Sequence, residues 1–323
     1  MNNEPHHAGP AADGDIQRSA WAQRGERGSL LALRFMAWLA VSLGRPLARA
    51  VLHPITLYFL LFGATARRHS ARYLQRALGR KLSWRDQYRH FHCFASTVLD
   101  RVYFVREQTS GLDIKLYGDE GCQDSLARRE GVFLIGAHLG SFESLGTVGK
   151  QVPGMQVTMV MYPDNARQIQ SVLQAMAPNF KLDIIAIGKP GSTLAIREAL
   201  QRGRLVGLLG DRFLHADSTR AAGISIPFLG QPALFSDGPW RLAMLLRRRV
   251  VFMVGLFLGG RSYDLRFETM ADFRDPPQDP AARDALIQAA LHNYVARLES
   301  LCREAPYNWF NFYDYWHEDP VQT

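Results

Sequence analysis

The sequence places a histidine and a glutamate close together, directly after a short apolar run. Residues 132–136 read VFLIG, and His138 and Glu143 follow in the spacing His-x-x-x-x-Glu. On a continuous α-helix these two side chains would point about 140° apart. They can meet if His138 lies on a strand-to-helix turn and Glu143 projects back from the first helical turn. The carboxylate would then orient and charge-balance the imidazole, which is the arrangement of a general base.

A second pair of charged residues follows another apolar run. Residues 205–210 read LVGLLG and lead directly into Asp211 and Arg212. Sites in open parallel sheets lie outside the carboxyl ends of the strands, so we expect His138 and the Asp211-Arg212 pair to line the same crevice. Residue types and spacing alone also allow a packed histidine beside a helix N-terminal glutamate, and an arginine that merely pairs with a neighbouring acid.

Other chemistries lack the residues that they need. Ser141 and Ser144 do not stand in the Gly-x-Ser-x-Gly context of an esterase nucleophile, and no second acid is placed to complete a triad. The sequence contains neither the phosphate-binding motif Gly-x-x-x-x-Gly-Lys-Ser/Thr nor the dinucleotide-binding motif Gly-x-Gly-x-x-Gly after a strand. The three cysteines form no Cys-x-x-Cys pair, and His90 and His92 would point apart on a helix. We therefore expect no metal site and no disulfide framework.

Short apolar runs alternate with helical patterns through the middle of the chain. This alternation is typical of βαβ units, and we predict an α/β fold: an αβα-type sandwich with a mostly parallel mixed central sheet. The expected strands cover residues 132–136, 155–162, 182–188 and 205–210. The expected helices cover residues 72–106 with a break near Gly79, 165–177, 191–203, 238–249 and 281–304. Pro227 and Pro232 indicate a loop over residues 223–235, and residues 250–258 and 263–268 indicate an antiparallel hairpin.

The N-terminal part of the chain differs in composition from the rest. Residues 1–20 are polar and rich in Gly, Pro and Ala, which indicates a disordered tail. Apolar runs follow at residues 30–43 and 51–63, each shorter than the roughly 18–20 uncharged residues of a free-standing membrane span. Arginines flank both runs, as expected at a bilayer interface, although a helical hairpin buried against protein is the alternative. We divide the chain into a tail (1–20), a membrane-associating helical segment (21–70) and a catalytic domain (71–323).

The charge of the chain favours an anionic partner. The formal net charge is +8, and arginine supplies most of the excess. Phospholipid headgroups, phosphorylated carriers and nucleic acid all fit such a balance. Because the arginines concentrate around the apolar runs, we expect a lipid surface and no nucleic acid.

The segment GAHLGSFE resembles the H-x4-(D/E) box of the lysophospholipid acyltransferase superfamily, and specifically the branch of the bacterial lipid A late acyltransferases. The likeness extends over roughly residues 21–316 through an ordered set of landmarks. These are the apolar N-terminal anchor, the strand with the box, GDR at 210–212, IPFLGQPALFSDGPWRLA and a closing hairpin. ERGS at 26–29 and NWFNFYDYW at 308–316 look more like a predicted-acyltransferase subgroup, similar to acyltransferases encoded with fatty-acid or aryl-polyene pigment synthesis.

The resemblance implies transfer of a fatty or polyene acyl group from a thioester to a hydroxyl or amine of a lipid-like acceptor. The donor would be acyl carrier protein or coenzyme A as a co-substrate, with no bound cofactor and no metal. His138 would be the general base and Glu143 its partner. Residues implied to bind substrate, oxyanion or phosphate are Arg212, Asp211, Gly140 and Ser141. Residues implied to shape an acyl or acceptor groove are Phe228 and Gly230.

The resemblance also implies a location. We expect a membrane phospholipid surface as partner and a place at the bacterial inner membrane, peripheral or by a single span, with the catalytic domain in the cytoplasm. Two alternatives stay open: a lipid A or lipooligosaccharide late acyltransferase proper, and a lipid-binding protein that has the fold without catalysis. The oligomeric state is left open.

Overall fold

The structure is a computed structural model, and the residues that it describes begin near the end of the first apolar run. They are residues 38, 40–42, 44–118, 120–147, 156–176, 183–213 and 223–316. The expected tail over residues 1–20 and most of the apolar run over residues 30–43 lie outside the described residues.

Three helices lead into the sheet: α1 (Gly44–Phe62), α2 (Ala64–Leu78) and α3 (Trp84–Val105). The predicted break near Gly79 is confirmed, because Gly79 ends α2 in the left-handed conformation with φ 61°. Ser83 and Asp86 then form a capping box that begins α3. No single described helix is both long and apolar enough to cross a membrane. Taken together, α1 and α2 do pass that test of length and composition, with a 94° bend between them.

A central sheet follows, as the sequence predicts. Its strands are β1 (Asp113–Gly118), β2 (Val132–Gly136), β3 (Val157–Met161), β4 (Asp183–Ala186), β5 (Leu205–Leu209), β8 (Arg249–Gly259) and β9 (Ser262–Asp272). A separate two-stranded ribbon is formed by β6 (Ile224–Phe228) and β7 (Gln231–Phe235). The remaining helices are α4 (Glu120–Ala127), α5 (Pro163–Met176), α6 (Ser192–Gln201), α7 (Gly238–Leu245) and α8 (Pro280–Glu304), with a short 3₁₀ helix at Glu143–Thr147.

The sheet is mixed but mostly parallel, in the order β1-β9-β8-β2-β5-β3-β4. Every neighbouring pair runs parallel except the β8–β9 hairpin, which is antiparallel as predicted. β2 lies between β8 and β5, near the middle of the sheet, and all five of its residues are buried. This position explains its continuous apolar run.

Alternate residues of the sheet enter two separate hydrophobic cores. Phe133 and Ile135 of β2 pack with α2, α6, α7 and α8, whereas Val132 and Leu134 pack with α3, α4 and the 3₁₀ helix. Because successive side chains of a strand point to opposite faces, these two cores are the two faces of the sheet. The αβα-type sandwich is therefore confirmed.

Two local predictions are wrong. Residues 223–235 form the β6–β7 hairpin and not a loop: Pro227 pairs with Pro232, and the turn residues Leu229 and Gly230 have φ 51° and 81°. Two left-handed turn residues match the twist of a tight hairpin, and the ribbon stands outside the main sheet, where prolines are tolerated. In addition, α7 ends at Leu245 and not near residue 249.

His90 joins α2, α3 and the C-terminal segment inside the protein. Its Nδ1 lies 2.8 Å from the Ser70 hydroxyl, and its Nε2–H donates to the carbonyl of Trp309 at 2.9 Å. The imidazole is fully buried, and burial lowers the pKa of His90 to about 4, against the opposing effect of the Trp309 hydrogen bond. Protonation of His90 therefore destabilises the folded state.

We predict that the protein loses stability as the pH falls from about 6.5 towards 4. In that window the unfolded chain takes up a proton at residue 90 that the folded protein excludes. The free energy of unfolding therefore falls by on the order of 3 kcal/mol in total. His92, whose pKa burial and the nearby His53 and Arg49 also lower to about 4, adds to the same loss. Urea unfolding at a series of pH values measures the slope. His90→Gln should flatten it, and an unchanged slope in that variant would contradict this account of His90.

Candidate active site

The ends of two neighbouring strands bring His138 and Asp211 together. β2 and β5 are parallel and paired, with Gly136 opposite Leu209, and the Gly210 amide continues the pairing by donating to the Gly136 carbonyl at 3.0 Å. His138 and Asp211 follow each strand by two residues, so both emerge at the carboxyl edge of the sheet. The structure therefore brings His138 and Asp211 together at this edge, as the sequence predicts.

Asp211 is a buried acceptor for three donors. His138 Nδ1 lies 2.9 Å from Asp211 Oδ1, and the His138 backbone amide donates to Oδ2 at 3.0 Å. The indole Nε1–H of Trp309 also donates to Oδ2, at 3.0 Å. The Asp211 side chain exposes 0% of its surface, whereas 32% of the His138 side chain is exposed. The pair therefore has a buried acid and an accessible imidazole.

The surroundings keep Asp211 ionised. Burial raises the pKa of its carboxyl, but the charge and hydrogen bonds of His138, together with the charge of Arg212, outweigh burial. The net effect holds the pKa of Asp211 below its ordinary value. A permanently charged acceptor at Nδ1 also fixes the tautomer of His138, because Nδ1 must carry the proton.

The geometry leaves the other ring nitrogen of His138 available as a base. Nε2 has no hydrogen-bond partner among the described residues, and the imidazole is partly exposed. A histidine whose Nδ1–H is held by a buried carboxylate can accept a proton at Nε2 and return it, with the carboxylate stabilising the imidazolium. The arrangement can thus activate a hydroxyl or an amine.

The C-terminal segment closes over the turn after β2. The Phe310 amide donates to the His138 carbonyl at 2.9 Å, and the Gly140 amide donates to the Asn308 carbonyl at 2.8 Å. On the other side of the site, the Tyr315 hydroxyl donates to the Asp211 carbonyl at 2.8 Å. Segment 308–316 thus contacts both members of the pair.

The predicted pairing of Glu143 with His138 is wrong in this structure. Glu143 lies 2.7 Å from Arg101 Nε on α3, and its other oxygen accepts from the Ser141 hydroxyl at 3.1 Å. The Arg101 contact is an ion pair by distance but not an aligned hydrogen bond. After His138 the chain starts no helix until Glu143, because Leu139 and Gly140 form isolated bridges to Trp309 and Gly255. Glu143 therefore begins its 3₁₀ helix on the side of α3. Asp211 occupies the role that the spacing assigned to Glu143.

The predicted oxyanion role of Gly140 and Ser141 is also not met by their backbone. The Gly140 amide donates to Asn308, and the Ser141 amide donates to the Gly255 carbonyl at 2.8 Å. Gly140 has φ 72°, and a Cβ there would collide with the Gly255 carbonyl oxygen. Both residues therefore serve the close approach of this turn to β8.

Arg212 is a cation beside the pair and has no carboxylate partner among the described residues. Its guanidinium lies 4.8 Å from the ring centre of Tyr313, and Nη2 makes a long, 3.5 Å hydrogen bond to the Phe310 carbonyl. The alternative of a direct ion pair with Asp211 is not observed, because no contact within 4.0 Å joins the two side chains. Its position leaves the guanidinium able to bind an anion next to His138.

Phe228 and Gly230, predicted to shape a groove, have structural positions instead. Phe228 is fully buried among Phe235, Trp309 and Tyr315, and Gly230 is the exposed turn residue of the β6–β7 hairpin. A partly exposed aromatic surface lies elsewhere, on α3 and the C-terminal segment. It comprises Phe94, Phe310, Phe312 and Tyr313.

Residue-by-residue reasoning missed the donor that Trp309 supplies to Asp211. The signal was the run of aromatic residues at 308–316, since buried tryptophan needs a partner for its N–H. The run contains several candidates, however, and only contact distances single out the one that reaches the acid. Trp316, seven residues on, has a buried indole N–H with no partner among the described residues.

We predict that Trp309→Phe lowers the free energy of unfolding by about 1.5–3 kcal/mol, because it removes a hydrogen bond to a buried carboxylate. Urea unfolding at neutral pH measures the change. Trp316→Phe is the matched control, since it deletes an indole N–H that makes no hydrogen bond, and we expect a change below about 1 kcal/mol. Equal losses in the two variants would contradict the role of the Trp309–Asp211 bond.

A buried carboxylate orients an accessible histidine at the carboxyl edge of a mostly parallel sheet. Such a pair can take a proton from an attacking nucleophile. The chain belongs to the bacterial lipid A biosynthesis acyltransferases: the model of that family matches residues 28–318. Membership supports an acyltransferase of lipid biosynthesis, in agreement with the predicted branch. A search of curated proteins found no match.

Proposed function

We propose that the protein transfers a fatty or polyene acyl group from an acyl thioester to a hydroxyl or amine of a lipid-like acceptor. The observation that carries this proposal is the His138–Asp211 pair, with Nδ1 of the imidazole held at 2.9 Å and Nε2 accessible. Family membership supports acyl transfer as the reaction.

His138 acts on the acceptor as it attacks. Nε2 takes the proton of the acceptor O–H or N–H while the acceptor atom bonds to the thioester carbonyl carbon. The tetrahedral intermediate then expels the thiolate as the C–S bond breaks, and the imidazolium returns the proton to the sulfur. Asp211 stabilises the imidazolium throughout and does not itself take the proton.

Two neighbouring features support the binding of the substrates. Arg212 presents a guanidinium beside the base that has no carboxylate partner among the described residues, which suits a tetrahedral oxyanion or a phosphate on donor or acceptor. Phe94 and Tyr313, about 40% exposed, offer apolar surface near His138 for an acyl chain. Phe310 connects the two features, because its amide bonds to His138 and its carbonyl to Arg212.

We predict that Asp211→Asn lowers kcat by about 10²–10⁴-fold, because it removes the carboxylate that orients the base. His138→Ala should abolish transfer, because it removes the base itself. Glu143→Gln should retain much more activity than Asp211→Asn, since Glu143 contacts Arg101 and Ser141 and not the imidazole. Transfer from a radiolabelled acyl thioester to total lipid extract, in membranes, measures all three.

Folding of each variant is checked by its unfolding transition. If Glu143→Gln is folded and as inactive as Asp211→Asn, then Glu143 and not Asp211 is the partner of His138 during catalysis. Full activity in His138→Ala would rule out His138 as the base, and an absence of transfer by the wild-type protein would favour the alternative of a lipid-binding protein without catalysis.

We further propose that α1 holds the protein at the cytoplasmic face of a bacterial inner membrane. The residues Ala48, Leu52, Thr56 and Leu60 follow each other at intervals of four and are all buried, so one stripe of α1 packs on the protein. The exposed part of α1 is apolar as well, with Phe59 54% and Phe62 73% exposed. A helix whose C-terminal half exposes large apolar side chains needs a second apolar environment, which the bilayer interface supplies.

An ion pair fixes this helix to the catalytic domain. Arg45 binds both carboxylate oxygens of Asp100 on α3, at 2.7 and 2.6 Å, and the Tyr263 hydroxyl of β9 donates to the same carboxylate at 2.9 Å. Asp100 is buried, so the contact is stronger than a surface ion pair. The exposed side of α1 therefore has a defined orientation relative to His138.

We predict that the double variant Phe59→Ser/Phe62→Ser binds vesicles at least about tenfold more weakly, because two aromatic side chains lose their transfer into the interface. Co-sedimentation with vesicles of phosphatidylethanolamine and phosphatidylglycerol measures binding. Leu286→Ser, at an exposed leucine of α8, is the control and should bind as the wild type does. Unchanged binding in the double variant would assign membrane contact to another part of the chain.

A further inference from the structure

A cluster of basic side chains lies in the seam between α1 and α3, apart from the site described above. Arg49 and His53 occupy one side of α1, one turn apart. His92 faces them from α3, and its ring is stacked on that of His53 with 4.7 Å between the ring centres. The hydroxyl of Tyr88, also on α3, lies 2.5 Å from His53 Nδ1. We call these four residues the α1–α3 cluster.

The guanidinium of Arg49 is half-buried against an aromatic ring. It lies 5.0 Å from the ring centre of Phe257, and it makes no hydrogen bond or ion pair with any described residue. The carboxylate whose charge reaches Arg49 is that of Asp100, which already binds Arg45 through both oxygens and accepts from the Tyr263 hydroxyl. A half-buried guanidinium with unused donors favours an anion from outside the chain.

The two histidines add donors and positive charge. When the Tyr88 hydroxyl donates to His53 Nδ1, the ring proton of His53 is on Nε2. That nitrogen has no partner among the described residues, and the His53 side chain is exposed. The Nε2 atom of His92 is buried and also has no partner there. Burial, followed by the charges of His53 and Arg49, lowers the pKa of His92 to about 4, so the positive groups of the cluster act on one another.

The chemistry of the cluster favours a phosphate ester. Among the described residues no group of three His, Cys, Asp or Glu side chains could hold a metal ion, so the histidines here do not form a metal site. A guanidinium and imidazole N–H groups instead supply positive charge and several donors, which suit the oxygens of a phosphate. Arg49 and His53 are four residues apart on a helix, or about 6 Å, so one phosphate can contact both.

The position of the cluster favours a phospholipid as the source of that phosphate. The large apolar side chains that the C-terminal half of α1 exposes begin at Leu57, one turn after His53, and continue to Phe62. Trp84 extends the seam on α3, because it packs edge-on against Tyr88 and is 65% exposed. Tryptophan and tyrosine are typical of the headgroup level of a bilayer. A helix that inserts its C-terminal half among acyl chains therefore has the cluster at the level of the headgroup phosphates.

The cluster lies towards the edge of the sheet that carries His138. β8 runs parallel to β2, and Gly255 of β8 bridges Gly140 in the turn after β2. Phe257, whose ring faces the Arg49 guanidinium, follows Gly255 by two residues. A phospholipid held by Arg49 thus turns the catalytic edge towards the bilayer.

We propose that the α1–α3 cluster binds the headgroup phosphate of a membrane phospholipid. The Arg49 guanidinium and the Nε2–H of His53 donate to the phosphate oxygens. Tyr88 sets the tautomer of His53, and His92 supports the His53 ring by stacking. The acyl chains of the same lipid lie against the exposed apolar side chains of α1. The assignment rests on the proposed contact of α1 with the membrane, and it adds a headgroup site to that contact.

Dihexanoylphosphatidylglycerol, below its micelle concentration, tests the site without a bilayer. We expect saturable binding to the full-length wild type in calorimetry, with shifts of the His53 and His92 ring signals in NMR spectra. Arg49→Gln should weaken binding at least about tenfold, since charge-assisted hydrogen bonds to the phosphate are lost. Arg202→Gln removes the same charge from the end of α6 and should bind as the wild type does. Equal binding by Arg49→Gln and the wild type overturns the proposal.

Two further ligands identify what the site recognises. Dihexanoylglycerol has the same acyl chains without the phosphate and should bind at least about tenfold more weakly. Equal binding of the two lipids would make the seam an apolar site and overturn the proposal. Inorganic phosphate has no acyl chains and should also bind more weakly than the phospholipid. If it binds as tightly, the site belongs to a soluble anion and the lipid assignment is overturned.

Two further variants separate the phosphate site from folding and from apolar anchoring. Arg49→Lys keeps the charge near Phe257 and should keep the fold, but it lacks the fork of donors and should recover only part of the affinity. His53→Leu makes α1 more apolar, so an anchor that is only hydrophobic would bind vesicles at least as well as before. Urea unfolding checks each variant. A folded His53→Leu that binds the short-chain phospholipid as the wild type does overturns the proposal.

The outcomes also separate this site from the proposed anchoring of α1. If the wild type does not sediment with vesicles but binds the short-chain phospholipid through Arg49, the anchoring proposal fails and the phosphate site stands. If vesicle binding depends on Phe59 and Phe62 while the short-chain phospholipid does not bind, α1 anchors the protein and the phosphate site is overturned.

Discussion

The structure around the site depends on the burial of one carboxylate, that of Asp211. Removing a carboxylate from water costs several kcal/mol unless donors replace the lost hydration. Asp211 receives these donors from two distant parts of the chain: the backbone and ring of His138, and the indole of Trp309. The turn after β2, the end of β5 and the C-terminal segment must therefore come together for the acid to stay charged. The same contacts orient the ring of His138.

The C-terminal aromatic segment is part of the site because of this requirement. Trp309 packs between Tyr73 and Phe228, and its carbonyl accepts a hydrogen bond from His90. Residues of α2, α3 and β6 therefore hold Trp309 in place. Trp309 and Tyr315 satisfy the side chain and the backbone of Asp211 respectively. The stability of this segment and the geometry of the base are consequently coupled, since a change that loosens Trp309 withdraws a donor from the acid.

The exposed apolar side of α1 has a defined orientation relative to His138. The outer side of α1 is apolar, and the ion pair between Arg45 and Asp100 fixes this helix to α3. His138 lies at the carboxyl edge of the sheet, where α6 also begins.

The sequence by itself determined most strands of the central sheet, most of the helices, the sandwich and the edge at which chemistry is possible, but not β1 or the β6–β7 hairpin. Apolar periodicity and strand length carry that information locally, as the alternating residues of β2 show. Tertiary structure alone decided which acid faces His138. Glu143 is five residues away but begins a helix that faces Arg101, whereas Asp211 is 73 residues away and reaches the ring because β5 pairs with β2. A hydrogen bond needs proximity in space, and spacing along the chain predicts proximity only when the intervening backbone is known.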